Sequence, residues 1–486
     1  MRFNKEQLAA ICHKDGSMMV LAGPGSGKTT VLVERILYLT EQCGVPPEAL
    51  LVITFTRAAA EEMQKRYQKR RRGISQSIEQ TAAGPCGRLE KAGDVCFGTF
   101  HSVFFQILRE EMQYTAEDVL EERQCQALLW DLCQAQFPSL GLSADLISML
   151  LAEHSRRKNT GNETSPDEGQ RALPLPEPVF QRIMQAYGAA LKKRHLLDFD
   201  DMLLQALALF RRDRALLARL RARWQYIMVD EFQDINRVQY ESIKLLAAPR
   251  RNLFIVGDDD QSIYGFRGSV PELMLGFPRE YPAAKRVLLR SNYRSDSAVV
   301  DASLRLIRNN QLRFSKELRA ERRGGMPPDI TGYPSAEAEA EAIARRLREK
   351  KAAGSSLSAL AVLYRSRRAA ARLRTKLAEM GLTEGEPRLM TFHAAKGLEF
   401  DEVFIIGANE GMTPSKEALA SPKLIEEERR MFYVAVTRAR HSLHISFTNG
   451  RYNRTQMEQS RFLAELCGEA ERQNQYAGTK TGLSRA

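Results

Sequence analysis

Long apolar runs are missing from this chain. No stretch approaches the roughly 18 apolar residues that a membrane-spanning helix needs. The opening segment, Met1-Arg2-Phe3-Asn4-Lys5-Glu6-Gln7, lacks the apolar core of a secretory leader. Cysteine is sparse: seven residues, Cys12, Cys43, Cys86, Cys96, Cys125, Cys133 and Cys467, with no Cys-x-x-Cys pair and an odd total. Neither a zinc site nor a disulfide framework is expected, and a reducing cytoplasm is the simplest location. Acidic residues are outnumbered, 60 Asp and Glu against 72 Lys and Arg, for a net charge of +12. The resulting pI of about 9.4 favours a polyanionic partner, nucleic acid or an acidic membrane surface. No amphipathic anchor is visible, so no membrane association is expected.

What is present is a folded composition, 43% hydrophobic and 27% charged. That excludes a disordered polyelectrolyte, a collagen-like fibre and a small disulfide scaffold. At about 100–200 residues per domain, the length of 486 predicts roughly three domains.

Short apolar runs alternate with helical patterns at the start. Met18-Met19-Val20-Leu21, Leu50 to Phe55 and Val95 to Thr99 read as strands, with helices after Lys28 and over 57–72. Such alternation predicts an α/β fold, a parallel sheet flanked by helices. From 102 to 220 the periodicity is helical, broken by a polar stretch at 158–170. Strands return at Tyr226 to Asp230 and Leu253 to Gly257. A second alternating unit is then expected, with strands at 286–290, 360–364, 389–392, 403–407 and 442–447 and helices at 336–351, 367–380 and 425–438.

The segment Ala22-Gly23-Pro24-Gly25-Ser26-Gly27-Lys28-Thr29 lies between a strand and a helix, the context a phosphate-binding loop requires. Its glycines let backbone N–H groups turn toward an anion at a helix N-terminus. Lys28 is placed to meet the β- and γ-phosphates, and Thr29 to ligate Mg²⁺. Asp230 and Glu231 end an apolar strand, where a metal-bound nucleotide meets a parallel sheet. Asp230 can hold Mg²⁺ through water, and Glu231 can orient or deprotonate the attacking water.

With these motifs, others fall in order along the chain: Thr54-Phe55-Thr56-Arg57, Gly98-Thr99-Phe100-His101, Asp258-Asp259-Asp260-Gln261, Asn292-Tyr293-Arg294-Ser295, Thr391-Phe392-His393 through Phe400, and Tyr433 through Arg440. The ordered set resembles the superfamily-one DNA helicases of the UvrD/Rep/PcrA type. The resemblance implies two RecA-like motor domains with ATP and Mg²⁺ between them, and movement along single-stranded DNA from 3′ to 5′. It gives residues 1–101 and 223–280 to the first motor, 102–222 to a helical insertion, and 281–380 with 389–466 to the second motor. It implies that Gln7 reads the adenine edge, Tyr293 stacks on the base and Glu399 contacts the ribose. Gly23, Gly25, Ser26, Gly27 and Thr30 join Lys28 and Thr29 around the nucleotide. Gln261 senses the γ-phosphate, and Arg294 and Arg438 reach it. The DNA surface it implies comprises Phe55, Thr99, His101, Tyr264, Phe266, Arg267 and His393.

Three departures stand out. Thr30 occupies a position where the family commonly has Arg. Phe266 stands where relatives usually carry Trp. The stretch 381–388 is a short turn where relatives insert the 2B subdomain. Residues 467–486 read as a disordered tail. The expected activity is an ATP-dependent DNA translocase and helicase that works as a monomer on single-stranded and tailed duplex DNA without 2B. Repair or replication proteins are candidate partners. The alternatives are a DNA-stimulated ATPase that unwinds poorly, a nucleic-acid scaffold with a vestigial ATPase, or the motor part of a helicase–nuclease with the nuclease on another chain. Arg156-Arg157-Lys158 and the run from Lys65 to Arg72 are open between DNA contact and solvated helix surface.

Overall fold

A computed structural model describes residues 3–74, 93–160, 173–265, 268–382, 387–452 and 455–467. The chain divides into two compact units. One comprises Met1–Leu21, Lys28–Asp258 and Tyr264–Leu288; the other comprises Ala22–Gly27, Asp259–Ile263 and Leu289–Ala486.

The first unit is built on a six-stranded sheet of order β3-β2-β4-β5-β1-β6. Its strands are β1 (Met18–Ala22), β2 (Leu50–Thr54), β3 (Cys96–Thr99), β4 (Tyr226–Val229), β5 (Leu253–Gly257) and β6 (Lys285–Leu289). The pairs β3–β2, β2–β4, β4–β5 and β5–β1 are parallel. In β1, β2, β4 and β5 every residue is buried, which is why they read as unbroken apolar runs rather than as alternation. Helices α1 (Lys5–Ile11), α2 (Lys28–Leu37) and α3 (Arg57–Ile74) belong to this framework.

Between β3 and β4 lie α4 (Phe100–Met112), α5 (Glu122–Gln136), α6 (Ala144–Thr160), α7 (Glu177–Lys193), α8 (Phe199–Arg212) and α9 (Arg214–Arg223). The expected helical insertion is thus seen, and no strand occurs among its described residues. Leu129, Cys133, Ile147, Leu150, Ile183 and Tyr187 fill the core shared by α5, α6 and α7. The basic triplet is consumed by carboxylates. Arg156 pairs with Glu153, Arg157 with Glu153 and Glu177, and Lys158 with Asp198 and Asp201, both at 2.7 Å. Asn159 extends this network, donating to Asp200 at 2.8 Å and accepting from Asn236 at 2.6 Å. The run on α3 is divided: Arg66 pairs with Glu62 and Arg70 with Glu34. Helices α10 (Arg237–Ala247) and α11 (Pro271–Glu280) complete the unit.

The second unit carries β7 (Ser291–Asp296) paired with β8 (Arg319–Arg322), and a five-stranded sheet of order β11-β10-β12-β13-β9. The sheet strands are β9 (Asp329–Tyr333), β10 (Leu360–Tyr364), β11 (Arg388–Thr391), β12 (Phe400–Ile405) and β13 (Ala439–Thr448), all paired in parallel. Its helices are α12 (Ser297–Ile307), α13 (Ala336–Ala352), α14 (Ala371–Glu379), α15 (Pro422–Val436) and, after a small hairpin of β14 (Arg451–Tyr452) and β15 (Thr455–Gln456), α16 (Arg461–Leu466). Ile343, Leu347, Val362, Leu373, Leu377 and Phe404 form a core where α13 and α14 meet the sheet.

Several strands differ from the sequence reading; the two-stranded pairs β7–β8 and β14–β15 lie outside the expected set. The strand near 286–290 was expected in the second unit, but β6 closes an edge of the first sheet, and Lys285 N donates to Ser17 O just before β1 at 3.1 Å. Alternation reports that a strand exists, not which sheet it joins. The strand β9 was not anticipated at all, because Asp329-Ile330-Thr331-Gly332-Tyr333 is a polar, partly exposed edge. The short turn expected at 381–388 lies partly outside the described residues, as does almost all of the expected tail at 467–486. No helix among the described residues is long and apolar enough to cross a membrane.

Candidate nucleotide and nucleic-acid site

The phosphate loop leaves β1 and ends where α2 begins at Lys28. Gly25 and Gly27 have φ of +67° and +82°, the left-handed region that only glycine enters freely. Ser26 Oγ donates to Gly23 O at 2.7 Å and holds the turn closed. Tyr293 N donates to Gly25 O at 2.9 Å, and a Cβ built on Gly25 would lie 2.5 Å from Arg294 Cβ. The loop and the Asn292-Tyr293-Arg294 strand are therefore in close contact.

Lys28, Thr29 and Thr30 occupy the first turn of α2. Lys28 Nζ lies 3.4 Å from Glu231 Oε1. Burial disfavours the ammonium, but Glu231, Asp258 and Asp230 more than offset this and hold its pKa above the usual lysine value. Asp230 follows the last residue of β4 and is buried. Its Oδ1 accepts from Glu231 N at 3.0 Å, while its own N–H donates to Ile53 O at 2.9 Å. Glu231 has φ of +50°, uncommon for a residue with a side chain, and the turn places its carboxylate at Lys28. Gln233, which the sequence reading passed over, braces this turn. It is fully buried, donates to Glu231 and Asp234, and accepts from Asp258 N at 2.9 Å.

Gln7 lies in α1 as part of a capping box: its N–H donates to Asn4 Oδ1 at 2.7 Å and its Oε1 accepts from Asn4 N at 3.2 Å. Tyr293 is exposed. Arg294 Nε donates to Glu399 at 2.5 Å, and Arg440 also pairs with Glu399. Burial raises the Glu399 carboxyl, but the two arginines overcome this and hold it below its usual range. Arg438 is buried; it donates to Val434 O at 2.8 Å, Leu398 O at 3.1 Å and Gln261 Oε1 at 3.1 Å.

Of the expected DNA residues, Phe55 and Tyr264 stack with ring centroids 4.7 Å apart. Thr99 caps α4, accepting from Ser102 N at 3.2 Å. His101 stacks on Phe199 at 3.7 Å, and burial lowers its pKa to about 3, so it is neutral. His393 is half-buried in the turn after β11. Phe266 and Arg267 lie outside the described residues. Phe199, which lies in no motif, is 57% exposed and stacks on His101. It opens an acidic helix start, Asp198-Phe199-Asp200-Asp201, which reads from sequence only as a cap.

This constellation matches known families over nearly the whole chain. A model of the UvrD/REP helicase N-terminal domain matches residues 3–282, and one of the UvrD-like helicase C-terminal domain matches 287–384 and 383–450. The chain belongs to the UvrD/REP helicase family. Among its relatives, YjcD of Bacillus subtilis (strain 168) is 35% identical over 375 residues, which is 75% of this chain and 46% of that protein. The proteins named ATP-dependent DNA helicase PcrA from Staphylococcus epidermidis (strain ATCC 12228 / FDA PCI 1200) and Staphylococcus aureus (strain NCTC 8325 / PS 47) are each 32% identical over 370 residues, 75% of this chain and 48% of theirs. The chain spans about half the length of the curated relatives it matches.

Proposed function

We propose that this chain hydrolyses ATP to move along single-stranded DNA from 3′ to 5′ and to separate duplexes ahead of it. The observation that carries the reading is the Lys28–Glu231 contact at the mouth of a left-handed glycine loop. That contact supports Lys28 as the cation that neutralises a nucleotide phosphate and Glu231 as the general base beside it.

In this reading the backbone N–H groups of Gly25 to Thr29 bind the phosphates, and Lys28 neutralises their charge. Glu231 aligns the attacking water and accepts its proton. Arg294 and Arg438 would offset charge on the transferring phosphoryl group. Gln7 and Tyr293 hold the base. Thr29 and Asp230 would hold Mg²⁺; when bound, the ion neutralises charge on the β- and γ-phosphates. Its fit rests on the donor set. No group of three or more His, Cys, Asp or Glu that could hold a metal is found among the described residues. A magnesium ion bound chiefly by phosphates and water needs only one or two protein oxygens.

Phe55, Tyr264 and Phe199 supply ring faces for bases of any identity, which suits a motor that must not read sequence. The C-terminal family model matches in two pieces that meet at 383–384, which supports the absence of the 2B subdomain there. Without that part, we infer that the monomer is active on its own, in the cytoplasm. The test is a strand-displacement assay on paired 3′- and 5′-tailed duplexes, with ATP turnover measured with and without single-stranded DNA. Displacement of the 3′-tailed substrate alone is expected. Turnover indifferent to DNA would refute the motor reading, and DNA-stimulated turnover without displacement would leave a translocase.

A further inference from the structure

Residues 310–316 form a strap that no motif marks. On one side it is fixed to α15. Asn310 Nδ2 donates to Glu426 O at 3.0 Å, the N–H groups of Gln311 and Leu312 donate to the Glu426 carboxylate at 2.7 and 3.3 Å, and Arg430 donates to Leu312 O at 2.7 Å. On the other side it grips the Asp259-Asp260 turn. Arg313 makes a bidentate pair with Asp260 at 2.8 and 2.7 Å, and Phe314 N donates to Asp259 at 2.8 Å. Lys316 Nζ lies 2.6 Å from Asp259 and 2.8 Å from Asp260, with no exposure of its side chain and 1% for each carboxylate.

Burying this many charges is costly until they are paired, so a loop needing only to be tethered is poorly served by it. Such a cluster does fix geometry, because each charge tolerates little displacement of its partner. The residue after Asp260 is Gln261, whose Oε1 accepts from Arg438, just beyond the end of α15. Strap, turn, Gln261, Arg438 and α15 thus close a ring of direct contacts. Lys396 closes it further, donating to Gln261 O at 2.7 Å.

We propose that Arg313 and Lys316 are positioning residues for phosphoryl transfer, setting the Asp259–Gln261 turn so that the Gln261 amide meets Arg438. The proposal rests on the ATP-hydrolysis reading above. Its signature is a defect in the chemical step rather than in nucleotide binding, since neither residue belongs to the phosphate loop.

Lys316→Met removes the buried cation between Asp259 and Asp260 and is expected to lose the fold, so it is not the test. Two gentler variants of the full chain are. Arg313→Lys keeps the charge and loses the planar fork. Arg313→Met combined with Asp260→Asn removes one charge of each sign and leaves the Asp259–Lys316 pair. For both, hydrogen–deuterium exchange of peptides spanning 253–263 and DNA-stimulated ATP turnover are measured. The expected result is faster exchange at 259–263 with 253–257 unchanged. It is accompanied by kcat lower on the order of tenfold and KM for ATP within about twofold. Unchanged exchange at 259–263 overturns the proposal. So does exchange that rises equally at 253–257, intact kcat, or a higher KM with kcat preserved. If the wild-type chain hydrolyses no ATP, the functional reading falls, and the exchange data alone decide whether the strap sets the turn.

Discussion

Nη2 of Arg438 donates to Oε1 of Gln261 at 3.1 Å, while the rest of the guanidinium is held by the carbonyls of Val434 and Leu398. A side chain proposed to sense the γ-phosphate and one proposed to stabilise it thus share a hydrogen bond. Arg438 is 1% exposed, so its direction is set by the fold rather than by solvent.

Replacing Arg438 with Lys tests this arrangement. A single ammonium cannot serve all these acceptors, and each buried group left unpaired costs about 1–3 kcal/mol. The variant should keep ATP affinity but lose kcat by about a hundredfold, the scale for removing one preorganised donor. Single-turnover hydrolysis with bound single-stranded DNA measures this; a wild-type rate would remove Arg438 from the chemistry.

The DNA surface is tested through Phe199. Phe199→Ala removes an exposed ring while leaving His101 and the α8 cap in place. Base stacking is worth about 1–3 kcal/mol per base, so oligonucleotide affinity should fall about fivefold or more. Fluorescence anisotropy with a labelled oligothymidylate gives the value. An unchanged affinity would make Phe199 a bystander.

The basic triplet should do nothing for DNA. Arg156→Gln with Arg157→Gln breaks the pairs with Glu153 and Glu177 and the Arg157 contact with the Phe180 ring. The slope of log affinity against log salt counts phosphate contacts. It should match the wild type, and a shallower slope would show that these arginines reach phosphates.

Acid should weaken the fold through two buried histidines. Burial lowers His101 to about 3 and His154 to about 4, against an ordinary 6.5. For His154, nearby Lys158 adds to the effect. Both stay neutral in the folded chain while the unfolded chain binds protons below pH 6.5. Stability is therefore lost as pH falls from 6.5 toward those lower values, by about 2 kcal/mol for each histidine at pH 5. Urea denaturation at pH 7 and pH 5 tests it: His101→Phe should show a smaller loss than wild type, and an equal loss would contradict the assignment.

The phosphate loop, Lys28, Asp230 and Glu231 could be read in the sequence because each requirement is local: glycine for positive φ, a strand before and a helix after. The helical insertion was visible for the same reason. The strap was not, since Arg313 lies in no motif and meets Asp260 only when the fold brings together residues 53 apart. Arg35 makes the same point. On an amphipathic helix an arginine reads as solvent-facing, yet it is 2% exposed, with its guanidinium 4.3 Å from the Phe254 ring centroid. Phe199 lies at the other extreme, an apolar residue in no motif that is 57% exposed. Periodicity reports the average partner of a face, and these residues have specific ones.

The crowding at Gly25 bears on chemical genetics. Any larger residue there meets Arg294 Cβ and Asn292 Oδ1 as well as a φ it resists. A loop reshaped to accept a bulky nucleotide analogue thus cannot be obtained by changing position 25 alone. Space would have to be cut first from the facing strand, at Asn292 or Arg294, and a cut at Arg294 removes a proposed phosphate contact. An inhibitor that exploits this loop would accordingly face a narrow route to resistance at that glycine.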